Sequence, residues 1–190
     1  MAGASPTMGT GRRPLLAVFA SDRGPGDAER ASIMVQAGGY FARHGADIIV
    51  IDDDLMLPVP LITAARAGGG QVTIIGGPTT QLPLALSEVQ LERLDTKEER
   101  IARMAELAQV FVGLPGSLQS VASLYAVWAR AGAGAGGKGV ALLNRNRAFE
   151  VLRGLAVDVV AHDVRGHDRM IQFADTVPAL WGKIAWLTSS

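Results

Sequence analysis

The sequence predicts a three-layer, doubly wound α/β domain built on a mostly parallel sheet. Short, continuous apolar runs alternate along the chain with longer segments of helical periodicity. Most runs close on Gly, Pro, Ser or Asp. A strand that is apolar on both faces belongs between two helical layers, and strand–helix alternation produces parallel pairing.

The elements follow in order. Leu15 to Ala20 is an apolar run closed by the loop Ser21-Asp22-Arg23-Gly24-Pro25-Gly26. From Asp27 to His44, Ala31, Met34, Val35, Gly38, Phe41 and Ala42 recur at helical spacing. Ala46 to Ile51 reads as a second strand ending in Asp52-Asp53-Asp54, and Val59 to Ala67 as a short helix stopped by Gly68-Gly69-Gly70. Gln71 to Ile75 is a third strand, ended by Gly76-Gly77-Pro78, and Thr79 to Ser87 reads mostly as loop. Thr96 to Ala108 is a charged amphipathic helix with Ile101, Met104, Ala105 and Ala108 on one face. Val110 to Leu114 is a strand and Ser120 to Ala131 a helix. After the Gly/Ala loop 132–137, Gly139 to Leu143 is a strand and Ala148 to Leu155 a helix. Val157 to Val160 and Met170 to Phe173 are short strand candidates. Asp175 to Leu187 is the closing helix, with Asp175 or Thr176 as N-cap, Pro178 in its first turn, and Leu180, Ile184 and Leu187 on its buried face.

Composition sets the outer limits. A chain of 190 residues, 48% hydrophobic and 19% charged, suits one folded domain and not a disordered one. Residues 1–13 read as a disordered tail and 14–190 as a single domain. Lys and Arg total 18, as do Asp and Glu. That balance gives no bulk electrostatic reason to bind nucleic acid or an anionic membrane. Absence of cysteine removes disulfides, thiolate metal sites and cysteine nucleophiles, and suits a reducing compartment. No signal peptide or membrane-length apolar run is read, so a cytoplasmic protein is expected.

In doubly wound sheets, ligands bind beyond the carboxyl ends of the strands, where strand order reverses. That rule selects the loops 21–26, 52–58, 76–84 and 114–119. Among them, Pro115-Gly116-Ser117-Leu118-Gln119-Ser120 links a buried strand to a helix. Gly116 allows a sharp turn and a close ligand approach. The following helix offers unpaired N–H groups and a partial positive charge, which suits a phosphate. Ser117 and Ser120 add hydroxyls. The same residues also serve, more simply, as a turn and a helix cap.

A wider stretch, from Glu99-Arg100-Ile101-Ala102-Arg103-Met104 through Phe111-Val112-Gly113-Leu114-Pro115-Gly116-Ser117, resembles the lonely-guy family of cytokinin-activating phosphoribohydrolases, often mislabelled lysine decarboxylases. Val18-Phe19-Ala20-Ser21 is similar to that family's first strand and Ser-containing loop. Lys138 to Asn144 is similar to its Lys-Pro-Val-x-Leu-Leu-Asn strand, and Phe173 to Leu180 to its closing Asp-Thr-Pro-Glu-Glu-Leu helix. The likeness spans most of residues 15–187. It implies a Rossmann-like fold, a phosphate site at Ser21 and residues 115–120, a catalytic role for Arg100, and a homodimer or higher homo-oligomer. Molybdenum-cofactor carriers are similar in fold to that family, so a carrier role falls within the same expectation.

The departures matter as much. The family pattern P-G-G-x-G-T-x-x-E is met by Pro115-Gly116-Ser117-Leu118-Gln119-Ser120-Val121-Ala122-Ser123. Ser123 stands where the family has its glutamate. Serine has no charge to stabilise a cationic sugar and no basicity near neutral pH, and losing a positioned acid or base costs roughly two to four powers of ten in rate. The family's glycine-rich upstream loop is replaced by Asp52-Asp53-Asp54-Leu55-Met56-Leu57-Pro58. Asp52, Asp53 and Asp54 are candidates to hold a ribose or supply a relocated base, and they are equally readable as a solvated loop. Arg100 and Glu99 belong to a charged helix face that is also readable as solvated.

No metal site and no cofactor are expected. His162, Asp163, His167 and Asp168 read as an exposed loop, His44 as a helix-end residue, and Trp128, Trp181 and Trp186 as core or interface. No motif supports a pyridoxal-phosphate lysine at Lys97, Lys138 or Lys183. The expected function is binding of a nucleotide or related phosphorylated molecule with little or no catalysis. The alternative is an active nucleoside 5′-monophosphate phosphoribohydrolase using a relocated carboxylate. A third reading is a dimerising protein whose site is closed by Leu118 and Gln119.

Overall fold

A computed structural model describes residues 13–21, 27–52, 57–132, 137–155 and 170–189. Among them seven parallel strands form one sheet in the order β4-β3-β2-β1-β5-β6-β7. In chain order the elements are β1 (Leu15–Phe19), α1 (Asp27–Arg43), β2 (Asp47–Ile51), α2 (Val59–Ala67), β3 (Val72–Gly76), β4 (Gln90–Arg93), α3 (Lys97–Leu107), β5 (Val110–Gly113), α4 (Leu118–Arg130), β6 (Val140–Leu143), α5 (Glu150–Leu155), β7 (Ile171–Ala174) and α6 (Val177–Thr188). The doubly wound architecture is present, as are the elements expected within the described residues, with boundaries shifted by a residue or two. One boundary matters: α4 begins at Leu118, not Ser120, because Ser117 caps it.

The central strands show why the apolar runs are continuous. Leu16 and Val18 of β1 face one core, with Ile48, Val50, Ile74, Val110 and Val112. Ala17 and Phe19 face the other, with Ile49, Ile51, Ile75, Phe111 and Leu142. Helices α1, α2 and α6 cover the first face through residues such as Met34, Leu61 and Leu180, while α3 and α4 cover the second through Met104, Leu124 and Val127. Each large side chain fully withdrawn from water contributes about 1.5–3 kcal/mol.

β4 has no counterpart in the sequence reading. Its residues, Gln90-Leu91-Glu92-Arg93, are polar because it is an edge strand with half its pairing surface unoccupied. Glu92 accepts from Arg103 Nε at 2.8 Å, which ties the edge to α3. The loop expected at 79–87 contains a single 3₁₀ turn, Leu84–Leu86, that buries Leu86. The strand candidate Val157 to Val160 and the segment carrying His162 and His167 lie outside the described residues.

Local signals place the helix ends. Thr96 Oγ1 accepts from the Glu99 N–H and Glu99 Oε2 from the Thr96 N–H, closing a capping box on α3. At the other end of α3, Lys138 Nζ donates to the carbonyls of Ala105 and Glu106 at 2.6 and 2.7 Å. Lys138 thereby satisfies helix-end carbonyls that have no intrahelical donor. Thr176 caps α6, accepting from the Ala179 N–H. His44 stacks on Tyr40 and lies 5.6 Å from the Trp181 ring, which fastens the end of α1 to α6. Among the described residues no helix is long and apolar enough to cross a membrane.

Helices α1 and α2 touch backbone to backbone. A Cβ on Gly38 would press on the Leu61 carbonyl oxygen and come within 3.2 Å of the Ala65 nitrogen. Neither contact can move aside by a rotamer change. Gly38→Ala is therefore expected to destabilise the protein by about 1–3 kcal/mol despite alanine's better helix propensity. A denaturant titration showing an unchanged or higher midpoint would refute the close packing.

Candidate functional site

The sheet reverses direction at β1. From β1 the chain winds outward through β2, β3 and β4, then crosses back to β5 on the other side of β1. Phe19 pairs with Gly113, and the Leu114 N–H donates to the Phe19 carbonyl at 2.9 Å. The ends of β1 and β5 therefore separate immediately beyond this bond, one into Ser21 and the other into Pro115–Ser117. Such a crevice is the ligand-binding position of doubly wound sheets.

The turn is built closely. Pro115 is buried, and a Cβ on Gly116 would fall 2.5 Å from Ser120 Oγ and 3.0 Å from the Ser21 nitrogen. Only glycine lets the two loops approach so nearly. Ser117 is the N-cap of α4: its Oγ accepts the Ser120 N–H at 3.2 Å, and Ser120 Oγ donates to the Ser117 carbonyl at 2.8 Å. The remaining first-turn amides of α4 have no intrahelical acceptor and carry the positive end of the helix dipole.

A small cleft, open to solvent, lies against this turn. Val18, Phe19, Ala20 and Ser21 form its floor, Ile51 and Pro58 one wall, and Gln119, Ser120 and Ser123 the other. Ser21, Gln119, Ser120 and Ser123 thus come together as the sequence suggested. Ile51 and Pro58 were not singled out by sequence, since an apolar residue at a strand end and a proline before a helix carry no ligand signal. Leu118 is 86% exposed and does not line the cleft. The closed site of the third reading therefore lacks one of its two plugs. Among the described residues that line it none is charged, so these residues would hold an anion by backbone dipoles and hydroxyls.

The charged candidates lie toward the β2–β4 side. Asp52 is only 6% exposed; its Oδ2 accepts from Thr80 Oγ1 at 2.5 Å. Asp53 and Asp54 lie outside the described residues. Arg100 rests against the β3–β4 loop: its Nη1 donates to the Leu94 carbonyl at 3.2 Å, and a Cβ on Gly77 would be 3.1 Å from that nitrogen. Arg100 Nε is buried without a hydrogen-bond partner. Arg100 is not among the residues lining the cleft. Glu99 is exposed and joined to Thr96; the hydrogen bonds from Thr96 hold its carboxyl below the usual carboxylate value, with nearby Arg100 a smaller influence. Thr80 carries no signal in the sequence, because a threonine in a polar loop is unexceptional until folding sets it against Asp52.

The Gly116 contacts generate an expectation. Gly116→Val forces Ser120 or the Ser21 backbone to yield, so it should abolish phosphate-ligand binding while lowering thermal stability by a few degrees at most, on the order of 1 kcal/mol. Full binding by a folded Gly116→Val protein would show that the turn is not a ligand contact.

No family model matches the chain, and no curated protein matches it. Solved structures do. The molybdenum cofactor carrier protein of Chlamydomonas reinhardtii superposes with a TM-score of 0.68 at 16% identity, covering 94% of this chain and 100% of that one. The molybdenum cofactor binding protein of the phototrophic bacterium Rippkaea orientalis superposes with a TM-score of 0.65 at 14% identity, covering 92% and 97%. At such identities the likeness shows a shared fold over nearly the whole chain, and that fold is Rossmann-like α/β.

Proposed function

We propose that this protein binds a phosphorylated small molecule, nucleotide-like or cofactor-like, at Ser21 and residues 115–120, with little or no catalysis. One observation carries the reading: a cleft at the strand-order reversal, uncharged among the described residues, is walled by the first turn of α4, beside a glycine that keeps the backbone bare. A phosphate there can accept several N–H and O–H hydrogen bonds at once. Among the described residues no carboxylate lines the cleft, and buried Ser123 stands where the resemblance would place a glutamate. Among the described residues of the cleft, binding groups are thus present without a general base. The carrier and binding functions named for the two fold neighbours accord with a protein that holds a small molecule without transforming it.

Isothermal titration with inorganic phosphate, nucleoside 5′-monophosphates and pterin phosphates tests the reading. Binding of at least one organic phosphate in the micromolar to millimolar range is expected; no binding of any at millimolar concentration would refute it.

The alternative, a phosphoribohydrolase with a relocated carboxylate, draws on Asp52, which is buried at the end of β2 next to the cleft residue Ile51. Incubation with nucleoside 5′-monophosphates should release no free base. Turnover that disappears in Asp52→Asn would replace the binding reading with this one.

A homodimer is also proposed. Leu118 and Tyr125, 86% and 61% exposed, lie two turns apart on one side of α4. Apolar side chains so placed suit a helix-to-helix contact between copies. Light scattering that reports only monomer at micromolar concentration would remove this part of the reading.

A further inference from the structure

The loop after β6 is held in a costly shape. Among the described residues, Asn146 and Arg147 are the only non-glycine residues with positive φ, at 54° and 59°. A side chain is disfavoured in that region, and two such residues in succession persist only where their surroundings fix them. Several contacts do so. Buried Asn144 accepts the Phe149 N–H on Oδ1 at 2.8 Å and donates from Nδ2 to Glu150 Oε2 at 3.0 Å. The Arg147 N–H donates to the Asn144 carbonyl at 3.0 Å. Asn146 Nδ2 donates to Glu29 Oε1 at 2.9 Å, which fastens the tip of the loop to the first turn of α1.

This arrangement leaves two cations unneutralised. The carboxylates that hold the loop, Glu29 and Glu150, accept from asparagine amides and not from an arginine. Arg145 and Arg147 are exposed, and among the described residues their side chains have no hydrogen-bond or ion-pair partner.

The sheet fixes where they stand. β6 pairs with β5 as far as Gly113 opposite Leu142. Two residues farther along, Asn144 comes beside Pro115, one strand spacing away, about 5 Å. The tie of Asn146 to Glu29 carries the loop tip toward α1, the helix that follows β1. The loop therefore borders, at the carboxyl edge, the crevice that opens between β1 and β5. An arginine side chain is longer than the strand spacing that separates this loop from the Pro115–Ser117 turn.

We propose that Arg145 and Arg147 form a second anion subsite, which takes the outer phosphate of a ligand whose inner phosphate lies on the turn at residues 115–120. The inference rests on the phosphate cradle proposed above and narrows its ligand to organic diphosphates, such as nucleoside 5′-diphosphates, over the corresponding monophosphates. The division of labour is physical. Backbone dipoles and hydroxyls hold the inner phosphate, where the described lining has no charge. The guanidiniums meet the outer one with paired N–H donors and full positive charge. The strained loop keeps both arginines on the rim of the crevice and keeps the neighbouring carboxylates occupied.

The test is isothermal titration of the full chain with adenosine 5′-monophosphate and adenosine 5′-diphosphate, without divalent cations, with melting temperatures measured alongside. Two exposed guanidiniums on one phosphate correspond to roughly five- to tenfold in affinity. The wild-type protein should prefer the diphosphate by about that factor. The double variant Arg145→Gln, Arg147→Gln should bind both nucleotides equally, near the wild-type monophosphate level, with an unchanged melting temperature. A second double variant, Arg66→Gln with Arg130→Gln, removes the same charge from the last turns of α2 and α4, at the opposite edge of the sheet. It should keep the wild-type preference. Equal wild-type affinity for the two nucleotides overturns the inference and leaves the phosphate cradle standing. So does a preference that survives in the Arg145, Arg147 variant, or one that falls equally in the Arg66, Arg130 variant, which marks bulk charge and not a subsite. A lowered melting temperature with equal loss of both nucleotides in the Arg145, Arg147 variant overturns it as well, since the arginines are then structural. Failure of the wild type to bind either nucleotide at millimolar concentration removes the cradle and the subsite together.

Discussion

Strand β1 is hydrogen-bonded along both edges, to β2 through Leu15 to Ala17 and to β5 through Leu16 to Phe19. Both of its faces are also buried. Such a strand must be apolar throughout and cannot shift register, since a one-residue slip would exchange the side chains of two different cores. The ligand edge follows from this constraint. Because β1 is fixed between partners that leave in opposite directions, the loops after β1 and β5 part at one defined point, between Ser21 and Pro115. The cleft is the gap that this divergence leaves.

Close backbone approach does the finer positioning. Gly38 lets α1 lie directly on α2, and Gly116 lets the β5–α4 turn touch the Ser21 backbone. In both places a methyl group would meet backbone or a short, hydrogen-bonded side chain, so the spacing is set by sterics and is hard to relax. The α4 dipole is thereby aimed at a cleft whose floor is the end of β1. The helix itself is capped by Ser117, whose Oγ accepts the Ser120 N–H.

The electrostatic layout separates two tasks. Among the described residues, the cleft at the β1–β5 divergence is lined with hydroxyls and no charged side chain, a setting suited to an anion. Fixed charge lies on the β2–β4 side, where Asp52 is oriented by Thr80, and Arg93 and Arg100 donate to loop carbonyls. An acidic group close to the helix N-terminus would compete with a phosphate for the same amides.

Fold class, the order of nearly all strands and helices, and the turn at Pro115–Ser120 were legible in the sequence. Those features are written locally: two-faced burial makes an apolar run, helix amphipathicity has its own period, and Gly and Ser mark a turn and a cap. The polar edge strand β4 was not legible, because its residues answer to solvent on one side and to Arg103 across the chain. Nor was the pairing of Asp52 with Thr80, 28 residues later, or the placement of Arg100 against Gly77 and away from the cleft lining. The sequence by itself determined that a Gly/Ser turn leads from a buried strand into a helix at the carboxyl edge of a parallel sheet. Only the tertiary structure decided which side chains share the cleft with it, because that depends on which strand ends the crossover from β4 to β5 brings together.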